Sequence, residues 1–130
     1  MTILTSGAQM PEREFGPITQ TDIVRFAGAG GDFNPLHHDP AAAASAGFET
    51  PIAHGQFSAA VLSGAVADWV GITRLSYFEA RFRAPVPIGT TLSLTAEVTE
   101  VTDGVATLSV AATRDDGAVA VSGTARASAG

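Results

Sequence analysis

A chain of 130 residues that is 45% hydrophobic and 15% charged has the length of one domain and ample apolar material for a core, which excludes disorder. Its net charge of −6, with no lysine and 7 scattered arginines, excludes a nucleic-acid backbone as the main ligand. The absence of cysteine excludes disulfides, thiolate metal sites and a cysteine nucleophile.

A short strand is predicted at about 14–18. Thr19 and Thr21 then precede the apolar set Ile23, Val24, Phe26 and Ala27, with Asp22 three residues after Thr19; a hydroxyl cap with an early acid starts a helix, and Gly28, Gly30 and Gly31 are expected to stop it. Asp39-Pro40 opens a second, short helix over 41–46, which Gly47 closes. From Gly55 the residues Phe57, Ala60, Val61, Gly64, Ala65, Asp68 and Trp69 keep a helical rhythm, while Ala59, Leu62, Val66 and Ala67 fill the other faces. Such a helix is expected to be covered on most sides. The uncharged stretch 50–67 carries Pro51, His54, Gly55, Gln56 and Gly64, too broken and polar for a membrane span. Residues 1–16 lack the basic start and apolar run of a secretory signal, so a cytoplasmic, reducing location is the expectation.

Beyond the helix the pattern changes to period two. A strand is predicted within 72–84, ended by Pro85 and Pro87. Three more follow on Leu92, Leu94, Ala96, Val98; on Ala106, Leu108, Val110, Ala112; and on Val119, Val121, Gly123, Ala125. Asp103-Gly104 and Asp116-Gly117 join them as hairpins, so an antiparallel meander curved round one buried helix is predicted.

His37, His38 and His54, with Asp32, Asn34 and Asp39, are concentrated in one polar segment stiffened by Pro35 and Pro40. By residue type alone these are a site or simply caps and turns, and Asp39 is explained as the cap before Pro40. Asp32, His37, His38, His54 and Asp39 also offer metal-ligand chemistry. Adjacent His37 and His38 point opposite ways from an extended segment, however, and no metal is expected.

The run Asp32-Phe33-Asn34-Pro35-Leu36-His37-His38-Asp39, followed by Ala53-His54-Gly55, resembles the hydratase-2 signature of the MaoC-like family of (R)-specific enoyl-CoA hydratases and 3-hydroxyacyl-thioester dehydratases. Arg81-Phe82-Arg83-Ala84-Pro85-Val86 and Gly89 are similar to the family's strand and turn after the central helix, and only about 1–9 and 128–130 fall outside the likeness. The resemblance implies an α+β hotdog fold forming a single domain over 1–130, with its core at about 10–127. It implies Asp32 and His37 as the catalytic pair and Gly55 as donor of a backbone N–H to a thioester carbonyl. Hydration of a trans-2-enoyl thioester needs water at C3, a proton at C2 and a donor for the oxygen between, so coenzyme A or an acyl carrier enters only as the substrate's carrier and no cofactor is required. The assembly implied is a homodimer, or a heteromer with a second hotdog subunit, with neither nucleic acid nor membrane as partner.

Asn34, His54, Ser63, Arg81 and Arg83 form the candidate substrate-binding set, each with a plainer alternative. Asn34 orients the pair or is a turn residue before Pro35. His54 hydrogen-bonds behind the pair or is structural at the helix entrance. Ser63 places a hydroxyl near the acid or bonds back to its own helix. Arg81 and Arg83, on one strand face with Phe82 on the other, contact carrier phosphates or belong to a solvated sheet face. Gln56 and Phe57 depart from the aliphatic residues expected after His-Gly, which bears on acyl-pocket shape. Competing functions are an acyl-carrier-protein dehydratase subunit, disfavoured by the acidic charge; a silent partner subunit, expected to lack the Asp and His; and a thioesterase using Asp68, the one acid on the central helix.

Overall fold

The fold is described from a computed structural model covering residues 2–130, so Met1 lies outside the described residues. Strand β1 (Arg13–Phe15) leads to helix α1 (Gln20–Gly30), a single 3-10 turn at Pro35–His37, α2 (Pro40–Ser45) and α3 (Gly55–Val70). Strands β2 (Leu75–Phe82), β3 (Leu92–Thr102), β4 (Val105–Arg114) and β5 (Val119–Ser128) follow in order.

Local chemistry explains the element ends. Thr19 and Asp22 form a reciprocal capping box, Asp22 N–H donating to Thr19 Oγ1 at 3.1 Å and Thr19 N–H to the Asp22 carboxylate at 2.9 Å. Gly28 and Gly30 do not stop α1; it runs through both and ends at Gly31, the left-handed C-cap. Asp39 caps α2 by accepting from Ala41 N–H at 2.9 Å, with Pro40 at the first helical position. The β3–β4 turn needs positive φ at both central residues, and Asp103 (52°) and Gly104 (76°) supply it.

The sheet is antiparallel with strand order β1-β3-β4-β5-β2. Leu92, Leu94, Ala96 and Val98 of β3 and Ala106, Leu108, Val110 and Ala112 of β4 are buried against Leu62, Val66 and Val70 of α3. The apolar core reaches Leu4 near one end and Ala129 near the other, wider than 10–127, because the Leu4 N–H bonds the Ala129 carbonyl and seats both segments on the sheet.

Strand β2 precedes the β3–β5 meander in sequence but pairs with β5, so the arginine strand lies at a sheet edge. One expectation from the alternation is revised: Val119 is not a core residue. β5 carries an extra residue between the partners of Ala112 and Thr113, a bulge that buries Ala120 and Val121 together and turns Val119 outward. Helix α3 is covered on most sides, and its one exposed stripe is Gln56, Ala60, Gly64 and Asp68, spaced four apart on the side away from the sheet.

The sheet closes on β2 through Gly123. A Cβ there would lie 1.9 Å from the Glu79 carbonyl oxygen and 3.2 Å from Ala80 Cα, both backbone atoms that no rotamer change can move. Gly123→Ala is therefore expected to cost about 1–3 kcal/mol or more as an overpacked contact. A fall in melting temperature with faster hydrogen exchange in β2 would show it; wild-type melting would contradict the contact.

Candidate active site

The polar segment after α1 is held by its own side chains. Asp32 Oδ1 accepts from Asn34 N–H at 3.2 Å, and Asn34 Oδ1 accepts from Leu36 N–H at 3.0 Å, capping the 3-10 turn that carries His37. Asn34 thus spends its carbonyl oxygen on the turn. Gln20 Nε2 donates to the His37 carbonyl at 2.9 Å, tying that turn to α1.

His37 is buried, and its Nδ1 lies 2.7 Å from the Ile52 carbonyl oxygen. A carbonyl only accepts, so Nδ1 carries the hydrogen and, in the neutral ring, Nε2 presents a lone pair. That Nε2 is 4.0 Å from Asp32 Oδ2, whose side chain is 56% exposed. Four ångströms is too long for a hydrogen bond but suits a shared water: at about 2.8 Å from each atom, its two donor directions open at about 90°.

His54, 2% exposed, lies behind both members of the pair. Its Nε2 donates to the backbone carbonyl of Asp32 at 3.0 Å, and its ring stacks on His37 with centroids 3.7 Å apart and planes 23° apart. Phe26 packs against it with centroids 5.1 Å apart. His54 precedes α3 without capping it by its side chain, so the structural part it plays is to fix Asp32 and His37 relative to each other. Gly55 follows as the first residue of α3, where a backbone N–H has no acceptor within the helix and meets the positive end of its dipole.

Asp32, His37, His54, Gly55 and Arg83 line one cleft of about 430 Å³, walled by Ile52, Ser58, Phe82, Pro85, Val86 and the bulge residues Ala120 and Val121. The bulge carbonyl of Ala120 accepts from Arg83 N–H at 2.8 Å and from Ala84 N–H at 3.3 Å, which holds the end of β2 at the cleft. Arg114 holds the same segment by donating to the Pro85 carbonyl at 2.8 Å. Its ion pair with Asp116, together with Ala118 N–H, holds the Asp116 carboxyl down to about 2, so this clamp is ionised at neutral pH.

The remaining predicted residues separate. Arg83 sits just beyond β2, and its Nε donates to Ser122 Oγ at 3.0 Å, leaving its charge without an acid partner among the described residues. Arg81 shares that sheet face but lies 3.8 Å from Glu79 and does not line the cleft. Ser63 donates back to the Ala60 carbonyl at 3.0 Å and lines a neighbouring groove. Two cleft residues escaped the sequence reading: Phe82, taken only as the far face of the arginine strand, and Ser58, whose buried hydroxyl has no hydrogen-bond partner among the described residues. A serine one helical turn after His54, between the apolar residues Phe57 and Ala59, was the available signal.

The donor set Asp32, His37 and His54 has one ligand atom from each residue within 4.8 Å of the others. Metal ligation needs ring lone pairs, which lie in the ring planes, to converge on one point. Two stacked imidazoles direct theirs side by side, so this geometry suits proton chemistry better than an ion. His38 and Asp39 stand outside the group, His38 bonding the Phe33 carbonyl at 3.3 Å.

Comparison with known proteins agrees with the motif and the architecture. Residues 5–119 match the family model of the MaoC like domain. The (R)-specific enoyl-CoA hydratase of Aeromonas caviae is 36% identical over 108 residues, 80% of this chain and 81% of that enzyme. A solved structure of an (R)-hydratase from A. caviae involved in PHA biosynthesis superposes with a TM-score of 0.84 at 31% identity, covering 95% of each chain. A chain of the ChsH1–ChsH2 complex from Mycobacterium tuberculosis superposes with a TM-score of 0.86 at 28% identity over 100% of both chains. The 3-hydroxyacyl-thioester dehydratase X of M. tuberculosis is 45% identical over 78 residues, but the match spans only 27% of its length. The α+β architecture is accordingly the hotdog fold, and the chain belongs to the MaoC-like dehydratase family.

Proposed function

We propose that this MaoC-like hydratase or dehydratase reversibly hydrates a trans-2-enoyl thioester, carried on coenzyme A, to the (R)-3-hydroxyacyl thioester. The observation that carries this reading is the 4.0 Å gap between Asp32 Oδ2 and His37 Nε2 at the mouth of a cleft that also holds Gly55. A water between the two oriented acceptors keeps its lone pairs for C3. As its oxygen bonds to C3 it passes one proton to the pair, and the pair returns one proton to C2, so the atoms balance without any other reactant. Charge developing on the thioester oxygen meets the Gly55 N–H at the helix start. That Arg83 lines the cleft without an acid partner among the described residues supports it as the contact for the carrier's phosphates.

The acidic net charge favours coenzyme A over an acidic carrier protein. A thioesterase reading loses its acid, because Asp68 pairs with Arg13 at 2.8 Å and does not line the cleft. Loss of absorbance at the enoyl-thioester band with crotonyl-, octenoyl- or a bulky enoyl-CoA is the expected result, unchanged by EDTA. Release of free coenzyme A without hydration, or activity abolished by EDTA and restored by zinc, would overturn the reading.

The open edge of β2 and the exposed α3 stripe favour a homodimer, or pairing with a second hotdog subunit as in the ChsH1–ChsH2 complex. Among the described residues no helix is long and apolar enough to cross a membrane. Sedimentation at micromolar concentration should give a dimer; a fully active monomer would contradict it.

A further inference from the structure

Two cavities meet at one wall beside the catalytic pair. The cleft of about 430 Å³ and a second groove of about 460 Å³ share just two lining residues among those described, Gln56 and Phe82. Beyond the wall the groove runs between α3, which contributes Ala59, Ala60 and Ser63, and the inner face of edge strand β2, which contributes Phe78 and Ala80. The Ser63 hydroxyl is already bonded to the Ala60 carbonyl, and apart from Ser63 and the wall residue Gln56 the lining side chains are alanines and phenylalanines. The Phe82 ring lies directly on Gly55: a Cβ built there would meet ring atoms at 2.9–3.1 Å.

We propose that Gln56 and Phe82 are the residues that set acyl-chain length, closing the catalytic cleft off from a groove fitted to the distal part of a longer aliphatic acyl group. The proposal rests on the hydratase reading and deepens it. Side chains on β2 alternate, so Arg83 leads the carrier's phosphates along the outer face while Phe78, Ala80 and Phe82 line the inner one. The acyl tail takes the inner side, along the α3 stripe and β2 edge that a second copy of the chain would cover. The departure of Gln56 from an aliphatic residue after His54-Gly55 gains a role here, as half of the partition. Because Phe82 is 54% exposed, removing it opens the wall without hollowing the core.

The test compares kcat/KM for trans-2-decenoyl-CoA and crotonyl-CoA in the wild-type protein and in Phe82→Ala, Phe82→Trp and Gln56→Ala, with melting curves for each. Phe82→Ala is expected to raise the decenoyl-to-crotonyl ratio by about tenfold or more, Gln56→Ala to raise it by less, and Phe82→Trp to lower it, since even one methylene in an apolar pocket is worth about tenfold. A ratio within twofold of wild type in folded Phe82→Ala and Gln56→Ala overturns the partition, as does an equal loss on both substrates. A wild-type protein that hydrates neither thioester overturns the hydratase reading itself, and that result is read before any variant is compared.

Discussion

Asp32→Asn and His37→Ala are each expected to reduce enoyl-thioester hydration by about 10²–10⁴-fold, the range for a lost general acid or base. Asp32→Asn keeps the local structure, because an amide oxygen accepts from Asn34 N–H as the carboxylate oxygen does, and the side chain is exposed. It removes the basic oxygen that shares the water with His37. His37→Ala costs more stability: the Ile52 carbonyl loses its partner and His54 its stacked ring, about 1–3 kcal/mol for a half-satisfied buried group. Steady-state rates with crotonyl-CoA, beside circular-dichroism melts, separate the two effects. Most of the activity surviving in both folded variants would remove the pair from the mechanism.

Gly55→Val is expected to lower turnover by about 10²–10³-fold, comparable to the loss of one oxyanion donor. The branched side chain would occupy the space in which the thioester carbonyl reaches the Gly55 N–H. It would also meet the Phe82 ring, but that ring is the exposed end of a side chain and can swing aside, so stability changes less than rate. The double variant Gly55→Val with Phe82→Ala isolates the cause. Relief of the ring contact should not restore turnover if crowding of the carbonyl is responsible. A folded Gly55→Val protein with wild-type kcat would place the thioester elsewhere.

What the sequence determined by itself was decided by groups close along the chain. The Thr19–Asp22 capping box, the Asp39-Pro40 start of α2, the hairpins at Asp103-Gly104 and Asp116-Gly117 and the alternation of β3 and β4 all involve residues a few positions apart. The nearness of Asp32 to His37 belongs to the same class, since five residues wound through one capped turn cannot separate them far. The tertiary structure decided whatever required distant segments to meet. His54 comes from 22 positions away to hold the Asp32 carbonyl, and β2 crosses the sheet to pair with β5 and lay Phe82 over Gly55. The bulge at Ala120 turned Val119 outward against its alternation, and the same end of the sheet parted Arg83 from Arg81. Capping and turn preferences are short-range energies readable from neighbouring residues, whereas strand order, bulges and stacking are chosen by how the whole sheet closes on α3.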